Sequence, residues 1–192
     1  MRNRKDNRPD PADVMTMSRR VSAATPPAVV VHLVTRMLRE AFEGPPGPWT
    51  YFIDTSLGTG VFGTIGELNA AQASQQAGPN NTTIAGHVHH LSVTLALSRQ
   101  ALRGDSTTRD RGLSWTLSTV DDAAWFALRA GLQRAYESIL VAVSSHTTWD
   151  EDALGGAFGA IAHTAYHLGA MRQRLTPHGV AKEKPPHRNS WR

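Results

Sequence analysis

The sequence predicts an all-α fold: an up-and-down four-helix bundle with one short extra helix, flanked by disordered N- and C-terminal tails. Three observations predict it. Apolar residues recur at helical spacing through four long segments. Clusters of Pro, Gly and Asp start or stop each segment. No run alternates with period two, as a half-buried strand would. At 192 residues, 40% of them hydrophobic, the chain suffices for one domain whose core needs no disulfide or structural metal.

The elements follow in order. Residues 1–24 are polar, charged and carry Pro9 and Pro11, and read as a disordered tail; the helical domain spans 25–176. Pro26 and Pro27 sit where a helix start tolerates proline. From Ala28 to Glu43, Val30, Val31, Val34, Met37, Leu38 and Phe42 form a helical stripe, ended by Gly44-Pro45-Pro46-Gly47-Pro48. An aromatic and glycine-rich connection, 49–60, leads to a short helix over 61–76 with Phe62, Ile65, Leu68 and Ala71 on one side. Gly78-Pro79-Asn80-Asn81 is a turn cluster. Thr82 or Thr83 caps the next helix, which runs from Ile84 to Leu102 with Val88, Leu91 and Leu95 in its stripe. Gly104-Asp105 stops it, and a loop over 105–120 is anchored by Trp115 and Leu117. Asp121 and Asp122 open a helix to Ser144, an acidic start suited to the helix dipole, with Trp125, Leu128, Leu132, Ile139 and Val143 inward. Asp150 to Asp152 open the last helix, which continues to Leu175. Pro177 ends it, and 177–192 form a second disordered tail.

Charge and composition exclude several classes. The net charge is +4, but the excess lies at the ends. Residues 1–24 hold six Lys/Arg against three Asp, and 176–192 hold four against Glu183 alone. The stretch between is slightly acidic, so no basic face for nucleic acid is expected on the folded part. There is no cysteine, hence no disulfide, thiolate ligand or thiol nucleophile. No secretory signal is visible, and no run approaches the roughly 20 apolar residues of a membrane span. A soluble cytoplasmic protein without a membrane partner is the expectation.

Nine histidines supply the informative pattern. His163 and His167, four apart on the last helix, share one face at about 6 Å between Cβ atoms, close enough for one ion. A second cluster, His87-Val88-His89-His90, opens the second long helix. His87 and His90 lie about 60° apart beside its apolar stripe, whereas His89 points to solvent. If the two helices pack together, one or two histidines of the first join the pair on the second. Three imidazoles with a vacancy suit zinc, copper, iron or nickel in a catalytic rather than a closed structural site. Thr164 stands where a zincin needs its glutamate base, and the Glu-x-x-His pairs of a di-iron bundle are absent.

Two segments resemble the DinB-like superfamily, which includes the YfiT-type proteins. One is Ile84-Ala85-Gly86-His87-Val88-His89-His90-Leu91, similar to the family's early helical histidine followed by an apolar residue. The other is Ala162-His163-Thr164-Ala165-Tyr166-His167-Leu168-Gly169-Ala170-Met171-Arg172-Gln173, similar to its late HxxxH followed by glycine. The resemblance covers residues 28–175. It implies a four-helix bundle, often a homodimer, with one divalent metal ion on three histidines: zinc first, nickel or iron as alternatives. His163 and His167 match the late pair. His90 matches the early ligand because Leu91 follows it; His87, nearer the centre of the stripe, is the alternative ligand or a residue hydrogen-bonded behind one. The resemblance further implies metal-dependent transfer to a small molecule with a low-molecular-weight thiol, or attack by metal-activated water. With no cysteine in the chain, that thiol comes from outside. The alternative is a non-catalytic bundle that binds a ligand or a partner.

The remaining polar and aromatic residues have plainer expected roles. Asp54 and Glu67 lie on the preceding connection and short helix, from which one could reach the site as a base or as an acceptor behind a ligand; a role away from the site is the plainer expectation for each. Tyr166 is expected to pack at an interface, and Arg172 and Gln173 to be solvated or to link helices. Trp115 and Trp125 read as core residues, and His32 as a core or interface residue; His146 reads as a partner of a helix C-terminus. Gly155, Gly156 and Gly159 allow close helix approach at a dimer contact. Gly58-Thr59-Gly60 lacks the spacing of a phosphate loop.

Overall fold

Residues 26–76, 82–105 and 114–175 are described by a computed structural model of the chain. The expected tails, the turn cluster at 78–81 and the middle of the 105–120 loop lie outside these residues. The described residues hold six helices and no strand: α1 (Pro27–Glu43), α2 (Val61–Gly66), α3 (Ala70–Ala73), α4 (Ile84–Leu102), α5 (Asp122–Ser145) and α6 (Glu151–Leu175). None is long and apolar enough to cross a membrane.

The long helices form where the apolar spacing puts them, and side-chain caps set their starts. Pro27 opens α1, and Gly44 closes it at φ 103°, a left-handed conformation that favours glycine. Thr83 Oγ1 accepts from Gly86 N–H at 3.0 Å at the start of α4. Asp121 caps α5 through Ala124 N–H at 2.7 Å, and Asp150 does the same for α6 through Ala153 N–H at 2.9 Å. Where one short helix was expected over 61–76, the chain makes two. Asn69 and Gln72 exchange side-chain-to-backbone hydrogen bonds at 2.8 and 3.0 Å, a reciprocal cap that starts a new helix rather than continuing the old one.

Helix α1 packs on α5 and α6, and α4 packs on the same two. The four long helices thus close around one core, with Val34, Leu38, Phe42, Leu91, Leu95, Leu132, Ile139 and Met171 among its fully buried members. Trp125 is buried as expected and donates Nε1–H to Leu68 O at 2.6 Å. His32 is exposed on α1, which leaves the interface reading of the two expected for it. His146 terminates α5, edge-on to Trp149.

Glu40 is the polar exception in this core. It is completely buried, and its carboxylate accepts N–H from Tyr51 at 2.8 Å, Phe52 at 2.7 Å and Ile53 at 3.1 Å. A buried carboxylate is tolerated only when its oxygens are satisfied; here three backbone donors do so, and the charge folds the 44–60 connection back onto α1. The return is tight. A Cβ on Gly60 would stand 2.5 Å from Gly44 N and 2.7 Å from Phe42 O, so Gly58-Thr59-Gly60 serves chain approach. Replacing Glu40 by Ala strands three amide donors, and we expect a loss of about 3 kcal/mol of stability, measured by urea unfolding, with Glu40→Gln recovering part of it.

Candidate metal centre

The packing of α4 on α6 brings the two histidine clusters together. On α4, His87 and His90 are one turn apart and buried, and on α6 His167 is buried while His163 is half-buried. His90, His163 and His167 each offer a ring nitrogen, and the three nitrogens lie within 4.8 Å of one another. His90 Nε2 and His163 Nε2 stand 2.8 Å apart. Two imidazole nitrogens on one tetrahedral zinc, each at roughly 2.0–2.1 Å, stand about 3.4 Å apart, so small side-chain rotations convert this arrangement into a three-nitrogen cradle. Nε2 of His167 and Nε2 of His87 are both buried without a hydrogen-bond partner among the described residues. Such an orphan is costly unless something satisfies it, and a bound cation would do so.

His87 stands outside this group of three. Its Nδ1 lies 2.9 Å from Nδ1 of His167, with ring centroids 5.0 Å apart. It therefore touches the nitrogen of His167 that is turned away from the unpartnered Nε2.

The loop after α4 completes the surroundings. Ser114 Oγ lies 2.7 Å from His90 Nδ1, and Ser114 O accepts from His89 Nδ1 at 2.9 Å. His89, expected to face solvent, is thereby tied to the loop. Trp115 is not a core residue: it is 39% exposed and stacks on His90, with ring centroids 4.3 Å apart and planes 20° apart. It also meets His87 and His167 edgewise or tilted, at 5.3 and 5.7 Å. The start of α4 accepts the loop closely, since a Cβ on Gly86 would stand 3.1 Å from Leu117 O. Sequence reasoning missed Ser114 altogether and misplaced Trp115. Neither sits in a periodic element, so no spacing pointed to them.

Neither Asp54 nor Glu67 belongs to the group of three. Asp54 and Glu67 are exposed, and Asp54 pairs with Arg172 at 2.6 Å. Arg172 thus links α6 to the 44–60 connection. Arg174 reaches from the end of α6 to Thr82 O at 2.6 Å and to the Thr82 hydroxyl, tying the ligand-bearing helices together. Tyr166 is 71% exposed, its ring 5.0 Å from that of His167. Gly155, Gly156 and Gly159 have nothing near their Cβ positions among the described residues.

Burial governs the protonation of the inner imidazoles. It pushes the His87 pKa down to about 4, helped by the Arg174 charge and His90. It pushes His167 down to about 3, with His163, His87 and His90 adding to the effect. Both rings are neutral at pH 7, the form that binds metal. In the unfolded chain they take up protons near pH 6.5, before the folded protein does, so stability falls as pH drops through this window. Metal-free protein should keep a constant melting temperature above pH 7 and lose several degrees between pH 6.5 and 4.5 in scanning calorimetry.

Compared with protein-family models, curated proteins and solved structures, the chain finds no match.

Proposed function

We propose that this is a DinB-like metal protein in which His90, His163 and His167 hold one divalent ion, and that it acts as a metal-dependent transferase on a low-molecular-weight thiol. The observation that carries the reading is the group of three imidazoles gathered from two helices, in which His167 also has a buried, unpartnered Nε2. Three protein ligands leave a coordination position for a thiol or for water. A bound ion would lower the pKa of whichever of these it takes. Three imidazoles suit zinc, nickel or iron, and the resemblance puts zinc first.

The chain's own residues do the rest. His163, the least buried of the three, stands on the solvent side, where a ligand enters. Trp115 covers the opposite flank of His90 and limits water there. No carboxylate belongs to the group of three, so an incoming thiol's proton goes to solvent or to the leaving group of its partner.

Protein purified without a tag should contain about one zinc, nickel or iron per chain by mass spectrometry, and His167→Ala should contain none. With cobalt in place of the native ion, an added low-molecular-weight thiol should produce sulfur-to-cobalt charge-transfer absorption. The chain has no cysteine, so such a band has no internal source. Metal uptake without thiol binding or turnover would move the reading to a non-catalytic metal-binding bundle.

The same reading makes the protein a homodimer through α6. From Ala153 to Ala170 that helix carries no Asp, Glu, Lys or Arg, yet Gly155, Gly156, Phe158, Gly159 and Tyr166 are exposed along it. Sedimentation equilibrium should give twice the chain mass, and Gly159→Glu should shift it to the monomer; a wild-type monomer would sink this part.

A further inference from the structure

We infer that His87 is a positioning residue for the metal centre: its Nδ1 accepts the Nδ1–H of His167 and so commits His167 Nε2 to the ion. The inference rests on the metal reading above and extends it to a residue outside the group of three.

Two imidazole pairs join α4 to α6, and they are not equivalent. His90 and His163 meet through Nε2 and Nε2 at 2.8 Å. His90 keeps Nδ1 on Ser114 Oγ, so its Nε2 is the nitrogen available to an ion. The hydrogen bond of this pair therefore lies where the ion must come. A bound ion would replace it, and the ring that donated would then carry its proton on Nδ1 instead of Nε2, with no change in net charge. His87 and His167 meet instead through Nδ1 and Nδ1 at 2.9 Å. A neutral imidazole carries one proton, so one ring donates and the other accepts. If His87 donated, His167 would carry its proton on Nε2 and have no lone pair for the ion. If His167 donates, Nε2 is free to ligate. This hydrogen bond is compatible with a bound ion and is strengthened by it, because a metallated imidazole is a better N–H donor.

The usual partner for a ligating histidine is a carboxylate or a backbone carbonyl. Here both supporting groups, His87 and the Ser114 hydroxyl, are uncharged. They orient their ligands without adding negative charge, and the ion keeps its full strength as a Lewis acid. Were His87 a fourth ligand, the site would be closed. Its contact with the far nitrogen of His167 gives it the supporting role instead.

The test uses the full-length protein with 15N-labelled histidine, and zinc as the probe. In metal-free protein a 15N–15N coupling across the hydrogen bond should connect Nδ1 of His87 and His167. On zinc addition it should persist, whereas the shared Nε2 proton of His90 and His163 should vanish. His87→Ala should still bind one zinc, about 10- to 100-fold more weakly. His87→Asn, whose amide oxygen falls where Nδ1 stood, should recover most of that loss, which a purely space-filling role would not predict. Wild-type affinity in His87→Ala, no recovery in His87→Asn, or loss of the Nδ1–Nδ1 coupling with zinc would each overturn the inference and leave the metal reading standing. A wild type that takes up no zinc, nickel or iron would overturn the metal reading, and the role of His87 with it.

Discussion

The burial of ring nitrogens between α4 and α6 is the constraint around which the rest is arranged. An apolar seam there would need only close packing. Imidazoles need partners, and each partner fixes something further. Ser114 must hold His90, which fixes the loop; Trp115 must lie on the His90 ring, which covers its flank; Arg174 must reach Thr82, which fixes the spacing of the helix ends. Four histidines therefore specify helix register as well as chemistry, because a slip of one residue would rotate each ring by about 100° out of the group.

A second buried polar group does similar work at the other end of the chain. Glu40 accepts three backbone amides from one short stretch, so a single carboxylate organises a connection rich in proline and glycine. The close approach at Gly60 and the left-handed turn at Gly44 complete the path. The returning chain presents Asp54 to Arg172 on α6, an exposed pair that by itself adds little stability. The order of this connection comes from the buried carboxylate rather than from the surface ion pair.

Much of this was legible in the sequence because periodicity and caps are local. The long helices, a cap at Thr82 or Thr83, the acidic start at Asp121 and Asp122 and the stop at Gly44 could be read from the local sequence alone. So could the pair His163 and His167, since helical geometry places them together whatever they pack against. The partner helix was a conditional inference, and helical geometry put His87 nearer the centre of the stripe while the resemblance favoured His90; only the distances between rings separate a group of three from a residue behind it. Glu40 could not be foreseen, because a lone glutamate on a helix looks like any solvated charge until the chain returns to it. Trp115 and Ser114 belong to a segment without periodicity, and their positions depend on contacts more than twenty residues away in sequence. The break between α2 and α3 turned on a two-residue reciprocal cap that the apolar spacing obscures.

His90 and His163 are separated by 73 residues. An ion shared between them, as proposed, would close a loop over more than a third of the chain, much as a covalent bridge would. Closing a long segment removes more freedom from the unfolded chain than closing a short one. The unfolded chain presents no preformed cradle, so binding is tied to folding. In a chain without cysteine, the ion would then act as a long-range cross-link between helices, one that forms or opens with metal supply rather than with redox state.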